Sequence, residues 1–190
     1  MSGLLVLIVI AAVLVVYFFA IYNGLVQKRV ACDNAWSQID VQLKRRHDLI
    51  PNLVETVKGY AGHEKQTLER VIQARNSAIS ASQSSSVAET AQAENMLTGA
   101  LRQIFALSES YPDLKANQNF AQLQEELAST ENRIGFARQH YNDSVGVYNT
   151  AIQVVPGNIV AGMGGFKQRE FFTLDADEAK AVKQAPKVQF

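Results

Sequence analysis

The chain has 190 residues, 47% of them hydrophobic, and its 18 Lys and Arg balance 18 Asp and Glu. That neutrality leaves no overall field to draw in nucleic acid or an acidic partner, so no nucleic-acid or phosphate binding is expected. One cysteine, Cys32, excludes an intramolecular disulfide, which suits a reducing compartment.

Gly3 to Tyr22 are twenty consecutive positions without a charged side chain. Roughly 20 apolar residues at 1.5 Å each cover the ~30 Å hydrocarbon core, and Tyr17, Phe18, Phe19 and Tyr22 put aromatic rings towards one boundary, so the stretch reads as a transmembrane anchor over 1–22. A cleaved signal peptide fits worse, because Met1-Ser2-Gly3 carries no lysine and the run ends without an A-x-A-like exit. A lipoprotein reading of Cys32 fails as well, since it lies ten residues past the run with Arg29 where Leu is wanted. Lys28, Arg29, Lys44, Arg45 and Arg46 all follow the run, so the positive-inside rule leaves the N-terminus outside and the bulk in the cytoplasm.

Beyond the anchor the pattern is helical throughout, because apolar residues return every three or four positions and never alternate strictly. Residues 23–155 read as a helical bundle with breaks near 51, 80–86 and 110–117. Val30, Trp36, Ile39, Leu43 and Ile50 form a first stripe, continued after Pro51 by Leu53, Val57, Tyr60, Leu68, Val71 and Ala78. Pro51 marks a kink or a turn; without a Gly, Asn or Ser cluster before it, a kinked continuous helix is the better expectation. Ser80 to Ser86 form a serine-rich connection, and Ser86-Val87-Ala88-Glu89 matches a capping box opening a helix lined by Leu97, Leu101, Ile104 and Leu107. Tyr111-Pro112-Asp113 ends that helix.

The sharpest periodicity follows. Phe120, Leu127, Ile134, Tyr141, Tyr148 and Val155 recur every seven residues, a coiled-coil-like seam over a helix expected at 118–155. Leu123, Thr130, Ala137, Ser144 and Ala151 make its second line, small enough to admit a partner helix from this chain or another. Glu131, Asn132, Arg133 and Arg138 flank the seam, as Asp40, Lys44 and Arg45 flank the first stripe; they form either a solvated face or charges that set register. From Pro156 to Gly165 the glycine-rich run is expected to be a loop, and Phe166, Phe171, Phe172 and Phe190 make an aromatic tail over 156–190.

A catalytic constellation is not recognisable. His47, His63 and His140 lie 16 and 77 residues apart, His63-Glu64-Lys65-Gln66-Thr67 lacks the second histidine of an H-E-x-x-H zinc site, and Cys32 has no CxxC partner. No GxSxG, Walker loop or strand-borne GxGxxG is present. No catalytic residue, cofactor or metal is therefore expected.

Trp36-Ser37-Gln38-Ile39-Asp40-Val41-Gln42-Leu43-Lys44-Arg45-Arg46, continuing through Asp48-Leu49-Ile50-Pro51-Asn52-Leu53-Val54-Glu55-Thr56-Val57-Lys58-Gly59-Tyr60, resembles the signature of the LemA family. Tyr111-Pro112-Asp113-Leu114-Lys115-Ala116-Asn117, Glu131-Asn132-Arg133-Ile134, Tyr141-Asn142-Asp143 and the Phe166 to Phe172 block are similar to its later motifs; His47 departs from the aromatic expected there. The resemblance implies a bacterial single-pass inner-membrane protein with a helical cytoplasmic domain, often found beside membrane metallopeptidases and without an established activity. The expected fold is all-α: the anchor, an elongated antiparallel bundle, a Gly-rich loop and an irregular tail. The expected function is a non-enzymatic membrane scaffold that self-associates, the alternative being an accessory or regulatory subunit of a metallopeptidase. Oligomer or partner contacts are expected at Trp36, Ile39, Leu43, Phe120, Leu127, Ile134, Tyr141, Tyr148, Phe166, Phe171 and Phe172, with the lipid bilayer as the other partner.

Overall fold

A computed structural model describes residues 2–84 and 86–173. The chain is all-α, with no strand among the described residues: α1 Ser2–Tyr60, α2 Lys65–Ser82, α3 Val87–Ser108, α4 Pro112–Lys115, α5 Gln118–Ala151 and α6 Gly157–Gly164. It divides into two compact units, one of residues 2–38 and 137–170, the other of 39–136 and 171–173; α1 and α5 contribute to both.

In the second unit, stripes at three- and four-residue spacing meet in one core. Ile50, Leu53, Val57 and Ala61 come from α1 and its end, Leu68, Val71 and Ala78 from α2, Leu97, Leu101 and Ile104 from α3, Leu114 from α4, and Phe120 and Leu127 from α5. Each large apolar side chain so buried contributes about 1.5–3 kcal/mol, which drives the association of helices of weak intrinsic preference. α5 runs antiparallel to α1 here, Asn117 donating to the Tyr60 hydroxyl at 2.8 Å and Arg46 pairing with Glu131. Asn117 also caps α5, its Oδ1 accepting from the Phe120 amide at 3.0 Å.

Pro51 does not break the chain. α1 runs through it and stops only at Tyr60, where the turn at Ala61–Glu64, unforeseen from sequence, reverses the direction. Proline deprives the His47 carbonyl, four residues earlier, of its helical donor; Arg75 Nε of α2 supplies one at 2.7 Å. The serine-rich break is shorter than expected, because Ser80 and Ser82 remain in α2, and the capping box operates: the Ser86 hydroxyl accepts from the Glu89 amide at 3.2 Å.

In the first unit, the apolar side chains of α1 from Leu4 to Val16 stand bare, and this is the one helix among the described residues long and apolar enough to cross a membrane. Further along, Phe18, Ile21 and Tyr22 are half-buried and Leu25, Cys32 and Ala35 fully buried, against a unit completed by Tyr141, Val145 and Tyr148 of α5 and by Ile152, Val160 and Ala161. Val30, assigned to the first stripe, is exposed instead.

The glycine-rich loop is corrected to a helix. α6 forms because Gly157, Val160 and Ala161 are buried, which offsets the entropic cost of its glycines; at Gly157 a Cβ would strike the Ala151 carbonyl. Gly165, at φ 67°, ends it in the left-handed conformation that glycine adopts without penalty. α5 ends at Ala151, short of 155, so Val155 leaves the seam and is exposed.

Candidate functional site

The expected contact residues are distributed unevenly. Ile39, Leu43, Phe120, Leu127 and Ile134 are buried in the second unit, Tyr141 and Tyr148 in the first, each by residues of this same chain. Trp36 and Phe166 are half-buried, Phe172 is buried and Phe171 exposed, whereas Phe190 lies outside the described residues. Trp36 packs edge-on to Tyr141 with ring centroids 5.3 Å apart.

The most concentrated polar chemistry lies inside the second unit. Arg46 of α1 donates to both Glu94 of α3 and Glu131 of α5, and its Nη1 also to Thr98 Oγ1 at 3.0 Å. His47 Nε2 meets the other Glu94 oxygen at 2.8 Å. Arg46, His47 and Glu94 are all buried, whereas the Glu131 side chain is 47% exposed. Burial alone would raise the Glu94 pKa, but the His47 hydrogen bond and the Arg46 charge outweigh it and hold the carboxyl below its ordinary range. The cluster therefore ties three helices together through one guanidinium and two carboxylates, Glu94 from α3 and Glu131 from α5.

Two clefts adjoin it. One of about 400 Å³ is lined by Asp40, Leu43, Lys44, His47, Asp48 and residues of the α2 end. The other, about 140 Å³, is lined by Arg46, Thr98, Arg102, Phe105, Glu131 and neighbouring apolar side chains. Among the described residues no three His, Cys, Asp or Glu side chains gather as metal ligands would, and His63 and His140 are exposed.

Sequence reasoning missed Arg46 and Glu94 as partners and weighed His47 only as a metal ligand. A signal was present. Arg46 falls on the stripe of Leu43, Ile50 and Leu53, and Glu94 on that of Leu97, Leu101 and Ile104, so each stripe carries one charge of opposite sign. Of the flanking charges, Glu131 alone joins this cluster; Asp40, Lys44, Arg45, Asn132 and Arg133 are exposed.

In the first unit, the segment after α6 is strapped to α5 through its backbone. The Tyr141 hydroxyl donates to the Glu170 carbonyl and the Tyr148 hydroxyl to the Lys167 carbonyl, both at 3.0 Å. Asn149 both donates to and accepts from the Arg169 backbone at 2.9 Å, and Arg169 pairs with Asp33 of α1 at 2.6 Å. The Cys32 thiol has its pKa pushed up, mainly by burial.

A family model described as LemA family matches residues 35–190. Protein LemA of Metamycoplasma hominis is 30% identical over 150 residues, covering 76% of this chain and 67% of that protein. Magnetosome protein MamQ 2 of Paramagnetospirillum magneticum is 24% identical over 193 residues, covering 87% and 71%. Magnetosome protein MamQ of Magnetospirillum gryphiswaldense is 23% identical over 174 residues, covering 80% and 64%.

Proposed function

The chain belongs to the LemA family, and from that premise we propose that it is a non-enzymatic, membrane-anchored scaffold that self-associates. One observation carries the reading. A single uninterrupted helix leaves residues 4–16 bare and then buries Leu25, Cys32 and Ala35 in the first unit, so anchor and packed body share one element without a linker. Such an element holds what it carries at a set height above the bilayer, as an organising protein requires. The buried charges are consistent with this role, because Arg46, His47 and Glu94 engage one another.

Self-association draws on residues that keep exposure. Trp36, Phe166 and Phe171 do so among the expected contacts, and Phe136, 75% exposed, is the barest aromatic beyond the anchor among the described residues. The buried seam members shape these surfaces from within. Anchoring in one bilayer raises the effective concentration of neighbouring copies, so weak lateral contacts become populated. The body faces the cytoplasm in this reading; a membrane-impermeant thiol reagent should miss Ser84→Cys in intact cells on a Cys32→Ser background.

The test of the scaffold is mass. Full-length protein at micromolar concentration in mild detergent, measured by light scattering with the micelle subtracted, should be a homogeneous homo-oligomer. A clean monomer refutes self-association, and a stoichiometric foreign metallopeptidase subunit replaces the scaffold with the accessory-subunit reading.

A further inference from the structure

Residues 144–166 contain no charged side chain, yet much of this segment lies outside the core. Val154, Val155, Ile159 and Met163 are 52%, 76%, 60% and 74% exposed. Four large apolar groups within ten residues, on a turn and one helix face, form a patch that water covers at a cost.

Its place within the first unit is set by side-chain contacts. The Phe166 ring stands edge-on to Tyr22, centroids 5.4 Å apart, with the Arg29 guanidinium 5.2 Å from the Phe166 centroid. A Cβ at Gly164 would come within 3.1 Å of the Tyr22 ring, so the end of α6 abuts the last residue of the apolar run. Phe18, Ile21 and Tyr22 are half-buried where Leu4 to Val16 are bare. α6 thus sits level with the final turn of the anchor, and charge resumes just beyond it on both segments, at Lys28 and at Lys167.

Several backbone amides of this segment are paired internally, as a region poor in water favours. The Ile152 amide bonds to the Tyr148 carbonyl at 3.1 Å, Asn158 to Val154 at 2.9 Å, Ile159 to Pro156 at 3.2 Å and Phe166 to Ala161 at 3.0 Å. Internal pairing of this kind is what a low-dielectric surrounding demands.

We propose that the 152–156 turn and α6 form a second membrane contact, seating Val154, Val155, Ile159 and Met163 at the headgroup–acyl boundary of the bilayer that holds the anchor. It rests on the reading of residues 3–22 as a span. Lipid is the occupant because the patch adjoins the interfacial end of that span, lacks charge as the span does, and is bordered by cations placed for headgroups. Two membrane contacts in one unit fix its orientation on the bilayer, which one helix alone leaves free to rotate.

The test uses the full-length chain with Cys32→Ala and single cysteines at Ile159→Cys, Met163→Cys, Val9→Cys and Gln139→Cys. All four are exposed positions, where substitution is tolerated. Each carries an environment-sensitive NBD label in vesicles of phosphatidylethanolamine with a minority of phosphatidylglycerol, doped with lipids bearing a nitroxide near the headgroup or deep in the acyl chain. Labels at 159 and 163 should shift to the blue and be quenched most by the shallow nitroxide, the label at 9 most by the deep one, and that at 139 by neither. Quenching at 9 without quenching at 159 and 163 overturns the inference and leaves the anchor standing. A blue shift at 159 and 163 without lipid quenching means that a second copy covers the patch, which also overturns it. Absence of quenching at 9 removes the anchor and the inference together.

Discussion

Glu94→Gln removes the charge at the centre of the second unit while keeping its size. Arg46 and Glu94 are 1% and 3% exposed, so the substitution strands a guanidinium out of water, and breaking one side of such a buried pair costs roughly 3–5 kcal/mol. Glu131 still grips Arg46, but a half-exposed carboxylate returns only about 0–1 kcal/mol, which places the expected loss near 3 kcal/mol. With a urea slope of about 1–3 kcal/mol/M, that loss lowers the unfolding midpoint by roughly 1–3 M. Glu131→Gln, on the same guanidinium, should cost less than about 1 kcal/mol. The assay is urea unfolding of the full-length protein in detergent, followed by far-ultraviolet circular dichroism. Acid supplies an independent check. Because the folded Glu94 pKa is lowered from its ordinary value of 4.5, its stabilisation is complete above that pH and is lost as pH falls through the folded value. The gap between the parent protein and Glu94→Gln should therefore close on acidification below about pH 4.5. Equal midpoint shifts for the two variants, or a gap indifferent to acid, would refute the ionic clamp.

Ser86→Ala deletes the cap of α3 and should destabilise by about 0.5–2 kcal/mol in the same urea assay, while Ser86→Gly should cost only a few tenths. Asn149→Ala removes both hydrogen bonds to the Arg169 backbone, roughly 1–3 kcal/mol of local stability, so limited trypsin should cut after Lys167 and Arg169 faster by about tenfold or more at unchanged overall helicity. Unaltered cutting would show that Tyr141 and Tyr148 suffice to hold the strap. Ile134→Asp places a charge where the side chain is 5% exposed and should cost several kcal/mol, whereas the exposed Gln139→Asp should stay within about 0.5 kcal/mol. Identical melting of the two would mean that the seam is not buried.

Features built by neighbours in the chain were legible without a structure. The apolar run of α1, the Ser86 cap with Glu89 three residues on, the stop of α3 before Pro112 and the seven-residue spacing from Phe120 to Tyr148 each depend on residues within a turn or two. The family signature adds membership, which no periodicity could supply. Tertiary structure decided what depends on distant partners. Whether Pro51 ends α1 turns on Arg75 reaching the orphaned His47 carbonyl, and whether Arg46 is a solvated cation turns on Glu94, 48 residues away. The glycine-rich run after Pro156 has poor helical preference of its own, and α6 exists because burying Val160 and Ala161 in the first unit outweighs that preference. The heptad seam announced that large side chains need covering, but hydrophobic burial is non-directional and does not specify whose helix covers them. That choice fell to the folded chain, which buries Phe120, Leu127, Ile134, Tyr141 and Tyr148 in itself and leaves Phe136 and Phe171 exposed.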